Sequence, residues 1–357
     1  MKMLKTAGRV LAECIVVLAL ITCSGVQAQS EKVFLPEAHA PAGIMGDHRH
    51  EGGEWMLGYR YMTRDFSGIH QGKDEIDLEE VAHEGFSMVA TGMHMEMHML
   101  DIMYAPSDRV TLMLMPSYMS MDMDMTTTPL EGGAGHMDME AGHGADHGMG
   151  GHSHSVSGIG DTSASALIGI AGEGTWKLHA TLGISIPTGS VSRKTDEDLY
   201  THYGMQPGSG TWDFLPGLTY SARQDAISWG AQISAVLRLE NRNTSGFRFG
   251  NRYDASAWMA YRASPSVSLS VRLAYQREGI VDGHYDGPHN HASPQDRQPN
   301  YGGKFVDAGL GLNLVPQAGP LAGVRLGIEW LDSLDADYNG IQVGRQDSLN
   351  LSLGYAF

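Results

Sequence analysis

The chain has 357 residues and a formal net charge of −17, with 24 Lys and Arg against 41 Asp and Glu. That balance argues against a nucleic-acid partner, which needs basic patches to neutralise phosphate. The only cysteines, Cys14 and Cys23, both lie near the N-terminus, so the remainder has no disulfide framework to hold it.

Residues 1–28 read as a secretory signal peptide. Lys2, Lys5 and Arg9 make a basic start, Leu11 to Ile21 an apolar core, and Val26-Gln27-Ala28 a small-x-small cleavage site. An apolar core of about 11 residues is too short to span a bilayer. Leu20-Ile21-Thr22-Cys23 also has the look of a lipobox, so a lipoprotein is the alternative. Beyond this leader no apolar run reaches helix-spanning length, and membrane residence would require strands, closed so that every backbone group is paired. Residues 29–53 are expected to form an N-terminal periplasmic segment or lumen plug, to which His48 and His50 could contribute metal ligands.

From residue 54 to 357 the pattern predicts an all-β fold, a transmembrane antiparallel β-barrel of about twelve strands. Twelve segments alternate with period two, at about 55–64, 94–104, 109–121, 161–171, 176–187, 211–221, 227–239, 253–263, 267–277, 304–315, 323–331 and 346–357. In one of them Trp176, Leu178, Ala180, Leu182, Ile184 and Ile186 share a face opposite Lys177, His179, Thr181, Gly183 and Ser185. Connections alternate in length. Short ones fall at 105–108, 172–175, 223–226, 263–266 and 316–322, and long ones at 65–92, 122–160, 188–210, 240–252, 278–303 and 332–345. Periplasmic turns and extracellular loops of an outer-membrane barrel differ in this way. The last segment places Leu349, Leu351, Leu353, Tyr355 and Phe357 on one face. In this it resembles bacterial outer-membrane barrels generally, whose final strand ends in Phe and is read by the barrel-assembly machinery. Outer-membrane lipid and that machinery are therefore the expected partners.

A narrower resemblance rests on Gly43-Ile44-Met45-Gly46-Asp47-His48, Gly53-Glu54-Trp55-Met56 and Tyr59-Arg60, with residues 101–115 in support. These look like a family of outer-membrane proteins often labelled as transporters and similar to the barrel protein of phenol-degradation (MetA) pathways. The resemblance implies the barrel fold and an outer-membrane location, and it carries over no catalytic residues.

The second and third segments are unusual. Met93, Met95, Met97, Met99 and Met103 share a parity with Asp101, opposite His94, Glu96, His98, Leu100, Ile102 and Tyr104. In the next segment Val110, Leu112, Leu114, Pro116 and Tyr118 carry no charge and are assigned to lipid. Arg109, Thr111, Met113, Met115, Ser117, Met119 and Met121 then face the lumen. A turn centred on Ser107 would pair Met99 with Met115 and Leu100 with Leu114. Met56 and Met62 extend the same face on the first strand, and Glu96 and His98 are left on the lipid side. A one-residue slip would turn every Met outward.

Three readings of this face stand side by side: flexible packing of a narrow lumen, a slide for small apolar or aromatic compounds, and soft-metal handling, since thioethers select Cu(I). The loop at 122–160 favours the third, because His136, His143, His147, His152 and His154 are interspersed there with Met and Gly. Copper or another late transition metal is the expected ligand, although no cofactor is required.

No phosphate loop, zinc-protease helix or nucleophile elbow is present, so no catalytic residues and no enzyme activity are expected. The remote alternative is a barrel-type lipid hydrolase around His152-Ser153-His154-Ser155. The expected function is an outer-membrane channel or transporter for small molecules or metal ions. Arg60, Lys177, Arg238, Arg262, Arg272 and Arg325 would line the lumen against Asp101, Asp213, Asp254, Asp307 and Glu329. The other reading is a surface copper-binding protein without transport.

Overall fold

An alternating strand with one oily face leaves two unpaired edges, and closure into a cylinder removes both. The computed structural model describes residues 35–129, 151–172 and 174–357. In chain order these form β1 (Trp55–Gly72), β2 (Asp74–Ile76), α1 (Leu78–His83), β3 (Met88–Ser107), β4 (Val110–Met115), β5 (Ser117–Thr127), β6 (His152–Ile159), β7 (Thr162–Ala171) and β8 (Trp176–Ile186). There follow β9 (Asp213–Gln224), β10 (Ile227–Arg238), β11 (Phe247–Arg248), β12 (Arg252–Ser264), β13 (Val267–Glu278), β14 (Asp282–Gly283), β15 (Gly303–Leu314) and β16 (Arg325–Ala356).

The main sheet runs β2-β1-β16-β15-β13-β12-β10-β9-β8-β7-β4-β3-β5-β6, and a further β1–β3 pairing closes it. Eleven strands form the ring, with β2, β5 and β6 outside it. One of the eleven, β16, crosses the wall twice. Its first half pairs with β15 from Leu326 to Tyr338, and its second half pairs with β1 from Tyr338 to Ala356. The Trp330 indole donates to Asp347 across the hairpin at 3.0 Å, and Gly340 supplies the positive φ of +71° at its tip. The wall therefore has twelve passes.

The inside–outside arrangement is the reverse of a water-soluble protein. Leu100, Leu112, Leu182, Ile233, Leu269, Leu273 and Leu310 project outward and are exposed, whereas Arg60, Asp101, Thr111, His179, Ser228, Asn313, Glu329 and Asn350 are buried inside. Only a lipid-facing wall around a polar interior satisfies both sets. Trp55 packs on Tyr104 and Trp176 near Tyr220 at the end that carries the short turns, where an aromatic belt meets a membrane interface.

Several strands rise beyond the predicted segments. The predicted loop at 65–92 contains the end of β1, β2 and α1, whose Asp77 caps Glu79 and Glu80. The predicted loop at 332–345 is the hairpin inside β16. The predicted loop at 122–160 is framed by strand at both ends, because β5 extends to Thr127 and pairs with β6, setting Met121 opposite Val156 and Met125 opposite His152. Alternation fades in these extensions because, above the membrane, neither face meets lipid. The longer connections 187–212, 239–251 and 279–302 pack on one aromatic cluster of Tyr203, Phe247, Tyr285, Val191 and Val281, in which Tyr285 stacks with both Tyr200 and Tyr203.

Candidate functional site

Two features fill the interior: a strip of methionines on one wall and a chain segment wedged into the periplasmic half.

The strip begins at the seam between β1 and β3. Met56 lies opposite Met103 and Met62 opposite Met97. Across the next seam Met103 faces Met113, Met97 faces Met119, Met95 faces Met121 and Met93 faces Met123. This register is two residues away from the one expected, since Ile102 rather than Leu100 meets Leu114 and Met99 meets Ser117 rather than Met115. The cause is the irregular turn between Tyr104 and Ser107. A two-residue shift preserves side-chain parity, so every thioether stays inside. Met56, Met99, Met103, Met113 and Met115 form one buried cluster near the periplasmic end, and Met121, Met123, Met125 and Met205 a second one farther out. Met93, Met95, Met97 and Met119 are half-buried between them.

Glu96 and His98 do face outward, and both are hydrogen-bonded there. The Tyr61 hydroxyl donates to Glu96 at 2.5 Å, Tyr59 pairs with His98 Nδ1 at 2.6 Å, and His94 pairs with Asp65 at 2.5 Å. A wall of tyrosines thus carries polar groups that bare lipid would penalise.

The wedge consists of residues 35–50. It has almost no regular structure, so its backbone groups need partners from the wall. Arg60 Nη1 donates to the carbonyls of Ala42 and Ile44, Arg325 Nη2 to Ala40, Gln232 to Met45, and Ser268 to Pro36. The Gly46 carbonyl pairs with His179, and Ser228 bonds the carbonyl of Glu37. The Gly43 amide donates to Glu329 Oε2 at 2.7 Å. Trp258 lies in the interior against Ala40 and Ile44, over Gly230, where a Cβ would meet its ring. The wedge leaves by the periplasmic rim, where Gly52 donates to Asp108 and Gly53 to Ala105.

The expected lumen charges are distributed around this wedge. Arg60 pairs with Asp101 at 2.7 Å, Arg272 with Glu329 at 3.2 Å, and Arg262 with the fully buried Glu37 at 3.5 Å. Arg238 and Asp213 meet higher up at 2.5 Å. Lys177 lines a small cavity of about 160 Å³ with Asp47, His48 and His179. Above the tip of the wedge is a larger cavity of about 420 Å³. Met62, Met95 and Met97 line one side, with Arg64 beside them as the cross-strand partner of Met95, and Arg252, Arg272, Arg345, Asp254 and Asp307 complete the lining.

At the base of the wedge His39, Asp47, His48 and His50 come together. Burial, reinforced by Arg325 and His48, holds the His39 imidazole well below its ordinary pKa. Burial and the neighbouring His48 lower that of His50 to about 4. Burial by itself would raise the Asp47 carboxyl, but His48 and Arg325 overcome it and hold the group well below its usual value.

Of the loop residues, His136, His143 and His147 lie outside the described residues. His152 and His154 are on β6 rather than in a free loop, opposite Met125 and Met123. Ser155 bonds Asp122.

The sequence profile of the family described as "Putative MetA-pathway of phenol degradation" matches residues 126–313, more than half of the chain. The chain belongs to this family. No curated protein matches this family member. Among solved structures it is similar to an outer membrane channel from Pseudomonas putida F1, at 16% identity and a TM-score of 0.56, over 87% of this chain and 98% of that one. A FadL homologue from Pseudomonas aeruginosa aligns at 10% identity and a TM-score of 0.43, over 85% of this chain and 90% of that one. The closed strand order and the match to the Pseudomonas putida channel give this family member the fold of an outer-membrane barrel.

The sequence does not single out Glu37, His39, His179, Arg345 or Met205. Glu37, His39 and Met205 lie in coil or a short turn and reach the interior only through the packing of wedge and loops, whereas His179 on β8 and Arg345 on β16 face inward from the wall itself. For His39 one signal was available, a third histidine eight residues before the Asp47-His48 pair.

Proposed function

We propose that this protein is an outer-membrane channel for small molecules that carry a polarisable or aromatic body and a polar edge. The observation that carries this reading is the 420 Å³ cavity, in which thioethers of Met62, Met95 and Met97 face guanidinium and carboxylate groups across the lumen. Sulfur offers such a body favourable dispersion and edge contacts, while Arg64, Arg252 and Arg345 offer hydrogen bonds to its polar edge. The wedge below the cavity makes the path narrow, so passage to the periplasm requires the segment 35–50 to shift. The family description, phenol degradation, fits a cargo of this chemistry.

Liposome flux tests the proposal. Phenol-sized aromatics should pass faster than sugars of equal size, and Met62→Gln, Met95→Gln and Met97→Gln combined should remove that preference without closing the pore. Equal preference before and after substitution would refute it.

Soft-metal passage is the second reading, favoured by the continuity of the strip from Met56 to Met125. Silver ion, a substitute for Cu(I) that is not oxidised in air, should then cross faster than sodium. Deleting 130–150 should leave that rate unchanged if the strip acts alone. If the deletion abolishes copper tolerance in cells while flux is intact, surface sequestration is the better account.

A further inference from the structure

The base of the wedge holds a group of side chains that the channel reading does not use. Donor atoms of His39, Asp47 and His48 all lie within 4.8 Å of one another. Their geometry has three features expected of a metal site. The first is orientation: Glu54 Oε2, outside the donor set, lies 3.5 Å from His50 Nδ1, and Asp47 Oδ1 and His48 Nδ1 stand side by side at 2.8 Å, where one ion could take both. Metal-binding histidines are commonly fixed through their second nitrogen in this way. The second is an unused donor. His50 Nε2 is buried without a hydrogen-bond partner, although the ring is 6% exposed and lies 4.9 Å from that of His48. The third is access, since Asp47 and His48 line the 160 Å³ cavity and His48 is 20% exposed.

We propose that His39, Asp47 and His48, with His50 as a fourth donor, bind one divalent late transition ion such as zinc, nickel or copper(II). Imidazole and carboxylate suit these ions, whereas Cu(I) prefers the thioethers farther up. Donors at about 2.1 Å from a tetrahedral first-row ion are about 3.4 Å apart, so the widest of the His39, Asp47 and His48 pairs, within 4.8 Å, needs to close by about 1.4 Å. His39 and His48 rings are already 4.8 Å apart edge to face.

A cation already stands at this position. Arg325 Nη1 is 3.2 Å from His39 Nδ1 and 3.8 Å from Asp47 Oδ2. The ion would displace this guanidinium from both and leave Arg325 its bonds to Ala40 and Asn313 on β15. Metal would thus join residues 39 and 48 of the wedge to each other in place of one tie between wedge and wall. The site is separate from the methionine strip, and its existence does not depend on what the channel carries.

The test uses the full chain, folded in detergent, with His136, His143 and His147 replaced by Ala to silence the loop. Zinc chloride titrated calorimetrically should show one saturable site. His39→Ala and His48→Ala should each weaken it by about tenfold or more. Arg325→Gln should tighten it by removing the competing cation, and exposed His284→Ala should leave it unchanged. Copper(II) in the same protein should show electron-spin coupling to at least two imidazole nitrogens. Retained affinity in the His39→Ala/His48→Ala double variant, weaker binding in Arg325→Gln, or no saturable binding at all would overturn the proposal. Strand circular dichroism confirms that each variant has folded, and the Arg325→Gln result decides the matter even if a histidine variant has not.

Discussion

Arg60 on β1 and Asp101 on β3 meet at 2.7 Å inside the seam that closes the cylinder, and the same guanidinium holds the wedge by two carbonyls. One residue thus ties together the first strand, its neighbour and the segment that narrows the lumen. Removing it alone strands a buried carboxylate. Arg60→Met should cost about 3–5 kcal/mol in reversible urea unfolding from detergent or lipid, and should raise single-channel conductance. Arg60→Met with Asp101→Leu should recover most of the stability while keeping the higher conductance. Equal losses in the single and double variants would show that the pair does not couple.

Gly43 sits at the tip of the wedge. A Cβ there would lie 2.6 Å from Glu329 Oε2 and 2.7 Å from Arg272 Nη1. Both belong to a buried ion pair with little room to yield, so Gly43→Ala should push the tip out of its seat. The expected result is raised conductance with thermal unfolding of the barrel nearly unchanged. Gly53→Ala, which meets nothing within 4 Å but has a φ of +93°, should instead strain only the rim.

Parity within β3 can be read from outside. A nitroxide on Met95→Cys should be broadened by a water-soluble nickel chelate, and one on Leu100→Cys by oxygen dissolved in acyl chains. Oxygen-dominated broadening at both positions would mean that the methionines face lipid.

Acid should loosen the extracellular loops. His202 Nδ1 pairs with Asp296 at 2.8 Å, and Ser293 donates to the same carboxyl from backbone and hydroxyl. Burial alone would raise the Asp296 pKa, but these partners hold it below the usual 3.8. A depressed carboxyl stabilises the fold in full above its unfolded value and loses that contribution as pH falls through the folded one. Amide exchange in residues 279–302 should therefore stay slow down to about pH 4 and accelerate below it. Asp296→Asn should lose that step and exchange faster at neutral pH.

The barrel was legible because lipid enforces alternation. Leu178, Leu182 and Ile184 had to share a face, and every short turn fell where the sequence placed it. The register between β3 and β4 was not legible, because parity constrains it only to multiples of two and an irregular turn chose between them. Arg60 could be assigned to the interior from its charge, and Asp101 and the methionines from the charge-free face of the next segment together with the turn register. Their partners could not, since those lie as many as 286 residues away, as Gly43 does from Glu329.

Sequence alone determined the closed all-strand architecture and which side of each strand is oily, because a hydrocarbon solvent imposes that pattern one residue at a time. Tertiary structure alone decided that residues 35–50 enter the lumen and that His39, Asp47, His48 and Arg325 converge beneath the tip. A segment without regular structure carries no periodic signal, and its position is set by hydrogen bonds from strands distributed around the whole ring.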